Sequence, residues 1–515
     1  MISSTKLAVK RAINRFPLLF LMVLALIPRL YNLHSPVIGV HSWRQADTAA
    51  IARNFYEALL AYPGEFLTFF GVFAYPQVDW GGGGYAETEF PLYPALVSLI
   101  YRGLGPHEIY ARGLAAIFSL IGLYFLYRLV ELCFDSSVAF WSALFYAILP
   151  LSVFYSRTVQ PESLVIMSSL GGLLFFKRWL GDERHRIYLL VSWVFVAIAA
   201  LLKVLPIVYL GLPLLFLAAV KFRYRLFLRW DLWLYALGVL GVTAAWYIHA
   251  HNIFLETGLT FGFWSGDTDR YSWASLLTAQ YWLDILFRVM VRHFAVLGFF
   301  IALIGLTFHR EKAEDWMWEV GLLGSFVAGA LAPTSSYVHE YYQLPVMFFG
   351  VVFMGKVCAR VFEPHRGEAY PTKAKRWYRP ALTAALVLTL VTGSTIYTID
   401  YMLPEIPANS TVYLLADLVD KYTPSNAKVL TTTGGDPTLL YLSHLKGWMI
   451  SPEEVSAERL KAAVDDGADF FVGSYKIVQS YADFTDESQQ ETIRELLKQG
   501  PFPLVNDKVS FIAPL

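Results

Sequence analysis

The sequence holds only two cysteines, Cys133 and Cys358, among 515 residues. That excludes a disulfide framework, and their spacing fits no metal-binding motif. Charge is scarce too: 16% of residues are Asp, Glu, Lys or Arg, and 41 basic residues balance 41 acidic ones. Soluble domains carry about a quarter charged residues. There is no long basic block, so nucleic acid is not an expected partner. No small-residue cleavage site follows the N-terminal "KLAVKRAINRFPLLFLMVLALIPRL". Its basic start and apolar run therefore read as a retained first helix with its N-terminus in the cytoplasm.

What is present is apolar. Hydrophobic residues make up 56% of the chain, and the mean hydropathy is +0.47. Apolar runs recur from Leu18 to Tyr397, many near the ~20 residues that cross a bilayer as helix. The reading is an α-helical polytopic membrane protein with about eleven transmembrane helices. They fall at 16–33, 92–131 (a short helix, then a full span), 137–155, 162–180, 187–202, 204–221, 232–253, 284–308, 316–333, 345–362 and 380–400. Basic residues concentrate in alternate loops: "KRAINR", "KRWLGDERHR", "KFRYRLFLR", "HREK" and "PHRGEAYPTKAKRWYR". The positive-inside rule assigns those loops to the cytoplasm of a multi-pass cytoplasmic-membrane protein. Residues 34–90, 156–161, 254–283 and 334–344 and the tail then face the extracytoplasmic side. The 15 Trp and 31 Tyr read mostly as interfacial belt and helix packing.

Beyond about residue 404 the character changes. Strand-like "AKVLTTT" and "ADFFVGS" alternate with helical "AERLKAAVDDG" and "QQETIRELLKQG". The expected organisation is a membrane module over 1–403 and a small extracytoplasmic α/β domain over 404–515, long enough for its own core. "TTTGGDP" puts Gly-Gly after a strand but lacks the Lys-Ser/Thr of a phosphate loop. It reads as a plain turn before a helix starting at Pro437.

The scarce charges gather at outward span ends. In "HSWRQADTAAIARNFYE", Ser42 and Gln45 have capping-box spacing, so a helix is expected from Trp43. Helical spacing puts Arg44, Asp47 and Thr48 on one face, and a neighbouring cation should keep Asp47 ionised. The ordinary alternative is a surface ion pair on an interfacial helix. Glu87 and Glu89 precede a membrane re-entry at Pro91. Glu162 lies in the first turn of a span that Pro161 starts, where simple favour from the helix dipole is the competing explanation. Lys203 sits at the outer turn of a tight helical hairpin, and "TSSYVHEYYQLP" supplies His339, Glu340, Tyr341 and Tyr342. Charges at span ends rather than mid-bilayer favour a reaction at the interface over a transport pathway.

This pattern resembles the GT-C membrane glycosyltransferases, in the branch of protein O-mannosyltransferases and lipid A aminoarabinose transferases. Their hallmark is an acidic residue on a helix of the first outward loop, here Asp47 in "WRQAD". Aminoarabinose-type relatives then carry Glu-Lys-Pro-Pro. This chain has Glu89-Phe90-Pro91, without the Lys. Glu162 in "QPES", Lys203, and Tyr342 in "YYQLP" resemble further family positions. The resemblance implies inverting transfer of a sugar from a polyprenyl-phosphate donor to a hydroxyl on a lipid, glycan or protein acceptor, among membrane lipids. An acceptor hydroxyl needs a base, with Asp47 the first candidate and Glu162 the second. The leaving phosphate needs cations and hydrogen-bond donors. Arg44, Lys203, Arg270, His339 and Tyr342 are the candidates, with Glu89 beside them. With these, no cofactor is required. A divalent metal held by Glu89 with His249 or His251 is a lesser alternative. The rivals are a transporter or flippase of lipid-linked sugars, which should show broken helices or repeats, and a glycan-binding scaffold.

Overall fold

A computed structural model of the protein describes residues 16–61, 85–260, 272–362, 373–475, 487–501, 503–506 and 509–515. A helix occupies each of the eleven expected segments. By length and composition, however, six helices among the described residues can cross a membrane, or seven if a bent pair counts as one span. The shortfall is geometric. Pro17–Arg29 and Ser136–Ile148 have 13 residues each, about 20 Å of helix at 1.5 Å per residue, against ~30 Å of hydrocarbon. Pro150 breaks the second of these, starting a separate six-residue helix, Pro150–Tyr155. The bent pair, Ala279–His293 and Leu297–Leu306, turns by 105°. A π-helical stretch at Val289–His293 and positive φ at Ala295 and Val296 make that turn.

The chain divides into two compact units: 1–31, 113–246 and 268–400 form one, and 32–112, 247–267 and 401–515 the other. The first unit is helical. Its apolar packing is pinned by Arg29, which is fully buried. That guanidinium donates to Ser119 Oγ (3.1 Å), Ser152 Oγ (3.1 Å) and the carbonyls of Ala25 (2.8 Å) and Ala147 (2.9 Å). A buried cation is tolerable because its donors are satisfied.

The second unit contains the sheet. Strands β1 (Lys428–Thr431), β2 (Lys446–Met449), β3 (Phe470–Ser474), β4 (Val505–Asn506) and β5 (Ser510–Pro514) run in the order β2-β1-β3-β5-β4. β1 pairs parallel with β2 and β3, whereas β5 pairs antiparallel with β3 and β4. Alternate residues face opposite sides. Leu430, Phe471 and Phe511 pack against Ala463, Ile493 and Leu497 of the helices Ala457–Asp465 and Glu487–Gln499. Val429, Val472 and Ile512 pack against Val412, Leu415 and Val419 of Thr411–Tyr422.

Ile38, far away in sequence, completes this second core. The first loop is thus built together with the tail. Arg53 lies 4.0 Å over the Tyr441 ring and donates to its carbonyl (2.9 Å), and the Tyr441 hydroxyl donates to Glu108 (2.9 Å). Arg112 and Glu405, both fully buried, pair at 3.6 Å. Gly39 makes the turn into the helix Ser42–Ala61 at φ +88°, where a side chain would press on Glu405 and Pro404.

Candidate functional site

The candidate residues fall into two clusters, one in each unit. In the second unit the helix begins at Ser42, one residue before the expected start. Gln45 reaches back to the Val40 carbonyl (3.2 Å). The N-terminal half of the helix is packed inside the protein, with every residue from Arg44 to Ala52 buried, while Glu57 and Leu60 further along are exposed. Arg44 is also committed differently from expectation, its guanidinium forming an ion pair with Glu89. Asp47 is 1% exposed, and its Oδ1 has no hydrogen-bond partner among the described residues.

Burial pushes the Asp47 carboxyl well above the usual carboxylate range. Arg44 pulls it back only in part, and Asp436 adds to the rise. The cation expected to hold Asp47 ionised thus lowers its pKa less than burial raises it. Desolvation outweighs one cation whose charge Glu89 already offsets.

Asp436 is the residue that sequence reasoning passed over. "TTTGGDP" is indeed a turn, with Gly434 at φ +61° and Pro437 capping the short helix Thr438–Leu442. The turn nevertheless buries a carboxylate whose Oδ1 accepts from the Thr438 amide (2.8 Å). Burial raises Asp436 to about 6, against the effect of that hydrogen bond. A second carboxylate within electrostatic reach of Asp47 thus comes from the tail. The one available signal was an Asp in a Gly-rich turn, which is too common to single out.

The metal alternative is divided. His251 Nδ1 lies 3.3 Å from Glu87 Oε1, and Thr260 Oγ1 also donates to Glu87. Glu89 pairs with Arg44 instead, and His249 is exposed. Among the described residues no group of three or more His, Cys, Asp or Glu could hold a metal ion.

In the first unit, Lys203 caps the C-terminus of the helix Arg186–Leu202, and Glu162 opens the helix Glu162–Gly181. Lys203 Nζ stands 2.5 Å from Glu162 Oε1, which is nearly fully buried. The same ammonium lies 4.2 Å from the ring centre of Tyr341 and 5.2 Å from that of Tyr342. His339, Tyr341 and Tyr342 stack in a row, with centroids 5.1 Å apart between the first pair and 5.1 Å between the tyrosines. Tyr155 donates to Glu340 (3.0 Å) beside them. Glu162 is thus more than a cap residue. Tyr341, named in the sequence beside Tyr342 but not among the donor candidates, is nearer the cation than Tyr342. The arrangement is a cation held by one carboxylate and two aromatic faces, with 20% of the Lys203 side chain exposed. Arg270 lies outside the described residues.

Residues 88–249 match the family model described as dolichyl-phosphate-mannose-protein mannosyltransferase. No curated protein matches the sequence. Among solved structures, ArnT from Cupriavidus metallidurans in the apo state superposes with a TM-score of 0.65 at 14% identity, covering 96% of this chain and 97% of that one. The same protein bound to undecaprenyl phosphate gives 0.63 at 13%, over the same shares of the two chains. The Archaeoglobus fulgidus oligosaccharyltransferase tethered to an acceptor peptide gives 0.58 at 12%, covering 91% of this chain and 70% of that one. At such identities the likeness is one of fold. In sequence over residues 88–249, and in fold over nearly its whole length, the chain resembles the GT-C membrane glycosyltransferases.

Proposed function

We propose that the protein is an integral membrane glycosyltransferase. It moves a hexosyl or pentosyl group from a polyprenyl-phosphate donor to an acceptor hydroxyl at the outer face of the cytoplasmic membrane, with inversion. The observation that carries the reading is the buried Asp47 carboxylate on the first-loop helix, in a chain with the fold of ArnT. That ArnT has been solved with undecaprenyl phosphate, and the oligosaccharyltransferase with an acceptor peptide, supports the two substrate classes.

The chemistry follows from the residues. The acceptor oxygen attacks the anomeric carbon from the face opposite the phosphate. The bond from carbon to phosphate oxygen breaks, and its electron pair leaves with the polyprenyl phosphate. The acceptor proton passes to Asp47. A raised pKa makes this carboxylate a stronger base than an exposed one, provided the pH is high enough to ionise it. Lys203, steadied by Glu162 and the Tyr341–Tyr342 faces, would oppose the phosphate charge. His339, Tyr342 and Arg270 are assigned to the same donor. Arg44 and Glu89, neutralising each other, hold the Asp47 helix to the loop before Pro91. The cations carry the charge stabilisation in this reading, so it requires no resident metal.

The test is incubation of the purified protein with a panel of polyprenyl-phosphate sugars, with and without acceptor hydroxyls, scoring free polyprenyl phosphate. Release by the wild type and none by Asp47→Asn supports the reading. One observation favours the transporter alternative: the 105° break at His293–Leu297 is a broken helix of the sort transporters use. Movement of intact donor across vesicles, without release of polyprenyl phosphate, would establish that alternative instead.

A further inference from the structure

The first unit contains a cavity of about 360 Å³ that the transferase reading does not use. It lies among the helices Arg186–Leu202, Pro206–Phe222 and Trp230–Thr257 and the 3₁₀ turn Arg223–Leu228. Gly211, Leu214, Leu226, Phe227, Trp233 and Leu240 are part of its wall. Only Trp233 and Tyr235 bring polar atoms to the lining, and both are already engaged. The Trp233 indole donates to the Phe227 carbonyl (3.1 Å), and the Tyr235 hydroxyl is paired with Ser192 (2.9 Å). A sugar, nucleotide or amine would therefore find no partner inside. The cavity suits hydrocarbon, and its volume lies in the range of ligand pockets. Wall residues such as Leu215, Trp233 and Leu240 are also exposed on the outside of the helices, so the space opens sideways rather than into a core.

Its rim is cationic. Leu226 and Phe227 belong to the same short turn as Arg223 and Arg225. Among neighbouring basic groups, Arg229 is bound to Asp231 (2.6 Å) and Glu183 (2.7 Å), and Lys221 stands 3.9 Å from Glu183. Arg223 and Arg225 are exposed, and no ion pair involves them among the described residues. Arg223 also holds φ +52°, a left-handed backbone that costs a non-glycine residue energy. Tyr224, Phe227 and Trp230 stand exposed beside them, the composition of a membrane–water interface.

We infer that this is a binding site for one anionic phospholipid of the leaflet on the side of the basic loops. One acyl chain fills the cavity, and the headgroup phosphate meets Arg223 and Arg225. Charge complementarity selects the occupant: a basic rim over a hydrocarbon slot matches an anionic headgroup over an acyl chain. The inference is independent of the transferase reading.

The experiment uses the full chain reconstituted in vesicles of equal phosphatidylglycerol and phosphatidylcholine, extracted gently and weighed with its retained lipid by native mass spectrometry. Two rim cations, each biasing binding roughly fivefold, should enrich phosphatidylglycerol about 25-fold over phosphatidylcholine. Arg223→Gln with Arg225→Gln should abolish the preference while lipid is still retained. Gly211→Phe should abolish retention. Gly211 lines the cavity, and a Cβ there meets no atom within 4 Å, so the ring has room only at the lipid's expense. If that variant is not recovered folded, phosphatidylglycerol with a photoreactive acyl chain should label peptides from 206–222 and 230–240 in the wild type. Equal retention of the two lipids, undiminished retention by Gly211→Phe, labelling elsewhere, or displacement of the phospholipid by polyprenyl phosphate would each overturn the assignment.

Discussion

Replacing Asp436 by Asn should stabilise the protein, and only above mildly acidic pH. In the folded chain this carboxyl is 7% exposed and titrates at about 6, from an ordinary value of 3.8. Below the ordinary value both folded and unfolded chains carry the proton, and the group has no effect. Between the two values the unfolded chain releases a proton that the folded one keeps, so stability falls as pH rises. Above about 6 the full penalty is present. A rise of about 2 units at 1.36 kcal/mol each is roughly 3 kcal/mol. Asn keeps the oxygen that accepts from the Thr438 amide (2.8 Å) and does not ionise. The variant should therefore exceed the wild type by up to ~3 kcal/mol at pH 8, about 6–12 °C in Tm for a unit of this size. The gap should shrink steadily toward pH 4. Thermal melts of the detergent-solubilised protein, followed through the buried Trp448, would measure it. A variant no more stable at pH 8, or a gap that widens on acidification, would refute the burial argument.

Four further outcomes follow. Asp47→Asn should lose ~10²–10⁴-fold in turnover with little change in donor binding, and near wild-type turnover would move the base to Glu162. Wild-type turnover should rise with pH through the elevated Asp47 titration, and Asp436→Asn, by removing a like charge, should move that acid limb to lower pH. An acid limb unmoved by Asp436→Asn would show the two carboxylates to be uncoupled. Lys203→Ala should weaken donor binding and also cost ~3 kcal/mol of stability, because it strands the buried Glu162 carboxylate. Adding Glu162→Gln should restore the stability but not the binding, and recovery of both would remove Lys203 from the donor site. A cysteine at the exposed Glu458 should react with an impermeant thiol reagent in intact spheroplasts, since native Cys133 and Cys358 are buried. Labelling only after lysis would reverse the proposed orientation.

How much of this was legible in the linear chain depends on the range of the interaction. Apolar runs, Pro161 before Glu162, and the alternation of strand and helix after 404 are local signals. The helices and strands they imply are present because periodicity and backbone chemistry act over a few residues. Span lengths were less legible, since Pro150 and the π-helical turn at Val289–His293 interrupt runs whose hydropathy is continuous. The identity of ion-pair partners was not legible at all. Helical spacing placed Arg44 beside Asp47, but Glu89, 45 positions further along in sequence, takes the guanidinium. Nor could spacing reveal Asp436, which comes within electrostatic reach of Asp47 across 389 positions of sequence. A carboxylate's ionisation depends on how much water and which charges surround it, and those are supplied by segments distant in the chain. Sequence alone could name Asp47 as a candidate. Only the tertiary structure, by burying it within electrostatic reach of a second carboxylate and giving its cation another partner, raised its affinity for a proton above that of an exposed carboxylate.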